Sequence, residues 1–291
     1  MAQQPSLSAI RRYYEQNTRL FLRFGSSQQA QSIHRSVWTE GVRSKAAALN
    51  HSNELVRGEI ERLARERGLE RLCIADLGCG VGGSLFYILP RLAVQTIAVG
   101  ATLSPTQARL AHQWARSLDL PHPCSFVEAD FQALPLAAGF DAAYSIEAFA
   151  HSVQPDCYFE GAARLLKPGG RLALCDDFLA EPVAGGGLGA VERLWLEAYQ
   201  AGWHIPGLVS LTGVVDLASA HGLHLVRQRN LTPHLRLRAL PGLLARMVLA
   251  LGSRIPVRHA FLASMLGSLA LQQCLKLSVI QYHFLVFDKP G

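Results

Sequence analysis

Cys73-Ile74-Ala75-Asp76-Leu77-Gly78-Cys79-Gly80-Val81-Gly82-Gly83 closes a short apolar run and opens a helical stretch. Glycines at a strand-to-helix turn let the backbone approach a ligand closely, and the helix N-terminus offers free N–H donors. Dinucleotide-binding folds share glycines of this kind. Here Asp76 stands two residues before the first glycine, giving D-x-G-x-G-x-G. A carboxylate at that point favours a ligand with an ammonium group, which it can pair.

Outward from this turn the chain alternates. Leu72–Asp76, Gln95–Gly100, Cys124–Glu128, Asp141–Ile146 and Arg171–Asp176 read as strands, with helices over Gly83–Arg91, Pro105–Ser117 and Asp156–Leu166 between them. Alternation of this kind predicts an α/β fold, a parallel sheet with helices on both faces. Lys167-Pro168-Gly169-Gly170 reads as a helix stop and turn. Before the turn, residues 1–70 read as helical: Arg11–Gly25, Val42–Asn50 and Glu54–Gly68. Beyond Asp177 come a glycine-rich loop (Glu181–Gly189), helices over Ala190–Ala201 and Leu211–Ala220, and a strand over Leu223–Asn230. Residues 232–272 form a long apolar, mostly helical insertion, and Leu277–Phe287 is a closing strand. The division expected is a helical lid over 1–70 and a core over 71–291, with 232–276 as an apolar, basic cap over the sheet's carboxyl edge.

The 291 residues are 49% hydrophobic and 17% charged. That composition excludes dominant disorder, and the charged share lies below the roughly one quarter usual in globular proteins, predicting a rather apolar surface. The six cysteines form no CxxC pair, and the N-terminus lacks the apolar core of a secretory signal, which fits a reducing cytoplasm. No run reaches the roughly 18 apolar residues of a spanning helix. Charge is unevenly placed. From Gly222 onward nine basic residues face one acid, Asp288, so this stretch carries +8 against −2 for residues 1–221. Basic and apolar together suggest an anionic membrane surface or lipid-like ligand, with arginines on a solvated helix face as the alternative. The arginines are dispersed and not interleaved with stacking aromatics, so nucleic acid is not expected.

Four further segments carry information: Val99-Gly100-Ala101-Thr102-Leu103-Ser104-Pro105-Thr106-Gln107-Ala108, Glu128-Ala129-Asp130-Phe131, Leu165-Leu166-Lys167-Pro168-Gly169-Gly170 and Tyr144-Ser145-Ile146-Glu147-Ala148-Phe149-Ala150-His151. With the glycine turn they resemble class I S-adenosylmethionine-dependent methyltransferases over nearly the whole chain. The last segment is similar to the Tyr-x-Ile-Glu-Ala-x-x-His signature of sterol C-methyltransferases, and the first to the tocopherol methyltransferase group. The resemblance implies a Rossmann-like, seven-stranded, mostly parallel sheet with an antiparallel last strand. It implies S-adenosylmethionine as cofactor, held by Asp76, Gly78, Gly80, Thr102, Leu103, Gln107, Asp130, Phe131 and Ser145. Many relatives carry an acidic residue where Thr102 stands, so ribose recognition here falls on hydroxyl or backbone groups. Asp130 would accept from the adenine amino group and Phe131 pack on the ring; the alternative for Asp130 is a turn cap.

Glu147 and His151 are four residues apart and share a face if the strand passes into a helical turn. Methylation of an alkene leaves a tertiary carbocation, which Glu147 could stabilise while His151, or a water it orients, takes the proton. Otherwise Glu147 binds the cofactor or caps a turn, and His151 is structural. Arg12-Tyr13-Tyr14-Glu15, Phe24-Gly25, His34 and Trp38 resemble the N-terminal segment of the tocopherol group, with Phe24 replacing a Trp and a longer gap to His34. Tyr14 is thereby implicated in catalysis and His34 and Trp38 in substrate contact; Tyr14 could instead be an aromatic staple. Of Asp176 and Asp177, ending the fifth strand, Asp177 is assigned to substrate. There is no Walker A, H-E-x-x-H, clustered Cys/His or G-x-S-x-G motif, so no metal site is expected.

The function expected is C-methylation of an alkene in a lipophilic isoprenoid. A prenyl diphosphate variant would add Arg254 and Arg258 as phosphate partners and Mg²⁺. The alternative is an O-, N- or aromatic C-methyltransferase with His151 as general base; a third reading is a cyclase-like protein that keeps the cofactor as a structural element. The partner expected is a small lipophilic molecule, in a cytoplasmic protein that can touch a membrane through its cap. Self-association is left open.

Overall fold

The alternating segments form one seven-stranded sheet in the computed structural model, which describes residues 5–24, 34–181, 187–237, 241–252 and 260–291. Its strands are β1 (Arg71–Leu77), β2 (Gln95–Thr102), β3 (Cys124–Glu128), β4 (Phe140–Ile146), β5 (Leu166–Leu179), β6 (His224–Asn230) and β7 (Ile280–Asp288). They lie in the order β3-β2-β1-β4-β5-β7-β6, and β7 runs antiparallel to both of its neighbours. The mostly parallel sheet with an antiparallel last strand is therefore as expected. The order reverses between β1 and β4, and such a switch point leaves a crevice beyond the strands' carboxyl ends.

Alternation along the strands divides the core. Ile74 and Tyr144 face a cluster with Val56, Ile60 and Leu63 of α3 (His51–Arg67) and Leu85 of α4 (Gly83–Ile88). Their neighbours Ala75 and Ala143 face the opposite cluster, with Tyr158, Phe159 and Ala162 of α6 (Pro155–Leu165) and Val214 of α8 (Leu211–Ala220). Successive strand side chains point to opposite faces, so a buried parallel strand feeds both cores. Between these elements lie α2 (Lys45–Leu49) and α5 (Pro105–Ser117). β5 begins at Leu166 and runs through the turn expected at 167–170: Gly169 takes a φ of 73°, and the pairing with β4 shifts register between Phe140 and Ala142.

A third cluster joins residues 190–203 to the helices of the 232–276 insertion. Trp195, Leu196 and Tyr199 of α7 (Ala190–Trp203) pack with Ala245 and Leu249 of α9 (Gly242–Gly252) and with Ala270, Leu271 and Leu275 of α10 (Ala260–Lys276). α7 and α10 touch at glycines: a Cβ on Gly202 would lie 2.5 Å from the Gly267 Cα. Helix α1 (Leu7–Phe24) docks on α5. The Glu15 carboxylate accepts from the Ser104 hydroxyl, from the Thr106 backbone N–H at 3.0 Å and from the Thr106 hydroxyl at 2.7 Å. It thus adds a negative charge to the α5 N-terminus, where the helix dipole favours one. Among the described residues no helix is long and apolar enough to cross a membrane. Gly25, Arg254 and Arg258, and most of the glycine-rich loop, fall outside the described residues.

Candidate active site

The crevice at the switch point is a cavity of about 510 Å³. Its floor is the glycine turn, where Gly78, Gly80 and Gly82 take φ of 93°, 55° and 89°. Only glycine adopts such angles without strain. A Cβ on Gly78 would also lie 2.4 Å from the Ala148 Cβ. Asp76 is buried, its Oδ2 has no hydrogen-bond partner, and burial pushes its carboxyl up to about 7. A buried, unpartnered carboxylate oxygen on a cavity wall calls for a cationic ligand group. The ammonium of S-adenosylmethionine meets that need, and the cradle of backbone in front of Gly78 leaves no room for a side chain.

Thr102, the last residue of β2, and Leu103 line the same cavity. The Thr102 hydroxyl donates to Gln107 Oε1 at 2.6 Å, the Gln107 amide donates to the Thr18 hydroxyl at 3.2 Å, and Thr18 donates to the Tyr14 carbonyl at 2.6 Å. The end of β2 and the start of α5 are thereby tied to α1. Asp130 lines the cavity but also caps its own turn, accepting from the Gln132 backbone N–H at 2.9 Å. Phe131 lines the cavity beside it, its ring edge-on to Tyr158 at 5.3 Å.

At the end of β4, Glu147 takes a φ of 52°, a left-handed conformation that costs about 1 kcal/mol or more for a residue with a side chain. Its Oε1 accepts from the Arg35 backbone N–H at 2.9 Å and from the Tyr282 hydroxyl at 2.8 Å. Behind it, the Arg35 guanidinium pairs in bidentate fashion with Asp177 and lies 4.8 Å from the centre of the Tyr282 ring. Tyr199 also donates to Asp177, at 2.6 Å. Asp176 lines the cavity, accepts from the backbone N–H groups of Ala150 (3.1 Å) and Asp177 (2.8 Å), and is raised to about 7 by burial and then by the Asp177 charge.

Tyr14 and His151 share a hydrogen bond of 2.7 Å between Oη and Nε2. Burial lowers His151 to about 4 and lifts the Tyr14 hydroxyl well above its ordinary range, so both are neutral near pH 7. His34 lines the cavity 3.4 Å from the Ser84 hydroxyl, and burial lowers its pKa too. Trp38 lines it as well, with the Arg236 guanidinium 3.5 Å above its ring. The two segments are joined by an antiparallel bridge between Val37 and Leu235, and the Trp38 backbone N–H donates to the His234 carbonyl at 2.8 Å.

Tyr14, His34, Trp38, Asp76, Gly78, Gly80, Thr102, Leu103, Gln107, Asp130, Phe131, Glu147 and His151 therefore meet in one cavity. Two expectations are corrected. Ser145 is fully buried and donates to the Leu77 carbonyl at 2.8 Å, so it ties β4 to β1 and does not reach the cofactor space. Asp177 is covered by Arg35 and Tyr199; strand alternation turns Asp176 to the cavity in its place. Arg35, Tyr199 and Tyr282 were not anticipated. Arg35 adjoins His34 and could have been found from that segment, whereas nothing local marks Tyr282, on the last strand. Among the described residues no group of three or more His, Cys, Asp or Glu is placed to hold a metal ion.

Comparison with known proteins agrees with this geometry. A model of the methyltransferase domain family matches residues 75–174. The chain is 33% identical over 180 residues to O-methyltransferase rstn1 of Aspergillus nomiae, spanning 62% of this chain and 76% of that protein. It is 31% identical to the chloroplastic tocopherol O-methyltransferase of Arabidopsis thaliana, over 52% of this chain and 43% of that one. The fold superposes on geranyl diphosphate C-methyltransferase from Streptomyces coelicolor A3(2) with a TM-score of 0.66 at 20% identity, covering 97% of both chains. With its glycine turn, its unpartnered Asp76 and these relatives, the chain belongs to the class I S-adenosylmethionine-dependent methyltransferases.

Proposed function

We propose that this methyltransferase acts on a lipophilic isoprenoid and methylates an alkene carbon. The observation that carries the reading is Glu147, a carboxylate held in a strained backbone on the wall of a largely apolar cavity. S-adenosylmethionine supplies the electrophilic methyl group. Methylation of an alkene leaves a tertiary cation on the acceptor, and a fixed carboxylate in a water-poor site stabilises such a charge without reorganising. Arg35 and Tyr282 both hold Oε1; no hydrogen bond from the described residues reaches Oε2. The nearby Arg35 charge is balanced by Asp177, so it does not oppose a cation. Proton loss from the acceptor then needs a neutral base, and His151 fits that role, oriented by Tyr14.

The cavity favours a neutral acceptor over a diphosphate. Arg35 and Arg236 are the cationic side chains on its described wall; the first is engaged by Asp177 and the second stacked on Trp38. The shared fold with a geranyl diphosphate C-methyltransferase supports the terpenoid class. A second reading, methylation of a hydroxyl with His151 as general base, is supported by the same Tyr14–His151 pair and by the O-methyltransferase relatives.

The test is incubation with methyl-labelled S-adenosylmethionine and a panel of acyclic terpenes, prenyl diphosphates, sterols and phenolic quinols, with products read by mass and by label position. Label on a former alkene carbon supports the proposal. Label confined to oxygen, nitrogen or an aromatic ring replaces it with the second reading.

A further inference from the structure

Helix α9 is apolar on two sides. Ala245 and Leu249 are buried against Leu271 and Leu275 of α10, which line the active-site cavity. On the outer side Leu243, Leu244, Met247, Val248 and Leu251 are 73%, 46%, 54%, 42% and 61% exposed. Positions 243, 247 and 251 follow a four-residue spacing, and so do 244 and 248, so these side chains form one continuous face. Met265 of α10 is 55% exposed as well. Scattered exposed apolar residues are ordinary on a soluble protein, but a contiguous row of them marks a contact surface. A helix apolar all round is normally enclosed. This one has a single charged residue, Arg246.

The sequence of this part of the chain selects what covers the face. Residues 232–276 hold Arg236, Arg238, Arg246, Arg254, Arg258 and Lys276 and no acidic residue at all. A solvated surface mixes both signs of charge. Large exposed apolar side chains with Arg246 on the same helix, in a stretch of chain whose charge is all positive, match the boundary of an anionic bilayer: hydrocarbon below, phosphate above. At 11 residues α9 is too short to span a bilayer and would lie in its surface.

We propose that α9 docks this enzyme on anionic membranes, with Leu243, Met247 and Leu251 entering the acyl boundary. Because the reverse side of α9 backs the cavity wall, docking sets the active site directly above the lipid. The surface stands whether the acceptor is methylated at carbon or oxygen, since vesicle binding is read without any methyl transfer.

The experiment is cosedimentation of the full-length protein with vesicles of equimolar phosphatidylglycerol and phosphatidylcholine, beside vesicles of phosphatidylcholine alone. The expected result is binding to the anionic vesicles that weakens with salt. Replacing Leu243, Met247 and Leu251 together by Glu should lower the bound fraction roughly tenfold or more. Melting temperature and S-adenosylmethionine binding should not change, because all three side chains are exposed. Arg246→Glu, a milder change, should weaken binding to the anionic vesicles only. Failure of the unaltered protein to bind anionic vesicles overturns the proposal, and so does undiminished binding by the triple variant. Sedimentation velocity supplies a third check: a dimer that the triple variant dissolves, with no vesicle binding by either form, assigns the face to a second copy and likewise overturns it.

Discussion

The Tyr282 hydroxyl donates to Glu147 Oε1 at 2.8 Å, although β7 and β4 are separated in the sheet by β5. The Cys175 thiol approaches the same hydroxyl at 3.2 Å as a donor, and the Ser52 hydroxyl lies 3.2 Å away. With hydrogens available from those sides, the single Tyr282 proton is left for Glu147. Replacing Glu147 by Gln keeps the shape and removes the charge, and should lower kcat by roughly 10²–10³ with little change in cofactor affinity. Tyr282→Phe removes one of two donors to a charged oxygen and should cost about tenfold. Single-turnover methyl transfer checks both. A Glu147→Gln enzyme of normal rate would refute the cation-stabilising role.

Cofactor affinity should depend on pH through Asp76. Burial raises this carboxyl to about 7, and a cationic ligand group binds its ionised form. The dissociation constant for S-adenosylmethionine should therefore be flat above pH 7 and rise as pH falls below it, by about tenfold per unit for one proton. Calorimetric titration between pH 6 and 8 measures this. Asp76→Asn should bind weakly at every pH and lose the slope; retention of the slope would assign it to another group.

Tyr14 and His151 should act as a unit. His151 is held to about 4 by burial, so it is neutral throughout the working range, and kcat should show no break near the ordinary imidazole value of about 6.5. His151→Gln should lower kcat by roughly 10²–10⁴ if it takes the proton. Tyr14→Phe frees the imidazole of its partner and should show a smaller loss, with the double variant no worse than His151→Gln alone. Additive losses in that cycle would mean that the two side chains serve separate purposes.

Glu15 should matter to stability and cofactor binding more than to chemistry. It serves the α5 N-terminus from α1, and the Thr102–Gln107–Thr18 chain starts at that same helix end. Glu15→Ala should destabilise the protein by about 1 kcal/mol, as loss of a helix cap does. It should also weaken S-adenosylmethionine binding several-fold with kcat at saturation unchanged. Urea unfolding and cofactor titration read the two effects separately.

Strands β1 to β4 were legible because each is a short apolar run bounded by turns, and the glycine turn announced where a ligand would sit. Asp76, Glu147 and His151 lie close to such local signals. Ser145 and Asp177 were misassigned for one common reason. Both lie on strands, where neighbouring residues face opposite sides, and sequence does not say which of two neighbours faces a cavity. Tyr282 and Tyr199 were invisible for a different reason: each reaches the site from a distant element, through packing that no local pattern records. Arg35 was passed over because its role toward Glu147 is played by a backbone N–H, which every residue but proline possesses.

The bridge from Val37 to Leu235 joins two parts of the chain that lie far apart in the sequence. Trp38 and Arg236, one residue on in each strand of that bridge, are stacked on each other at the cavity wall. The N-terminal segment and the cap thus behave like two halves of a clasp, and neither can swing aside without unfastening the other. Shortening or lengthening either half shifts the register of both. Any change in the acceptor this enzyme prefers must then be written twice, in matched edits near residue 37 and residue 235, and a swap of one segment alone between relatives should yield a clasp that does not fasten.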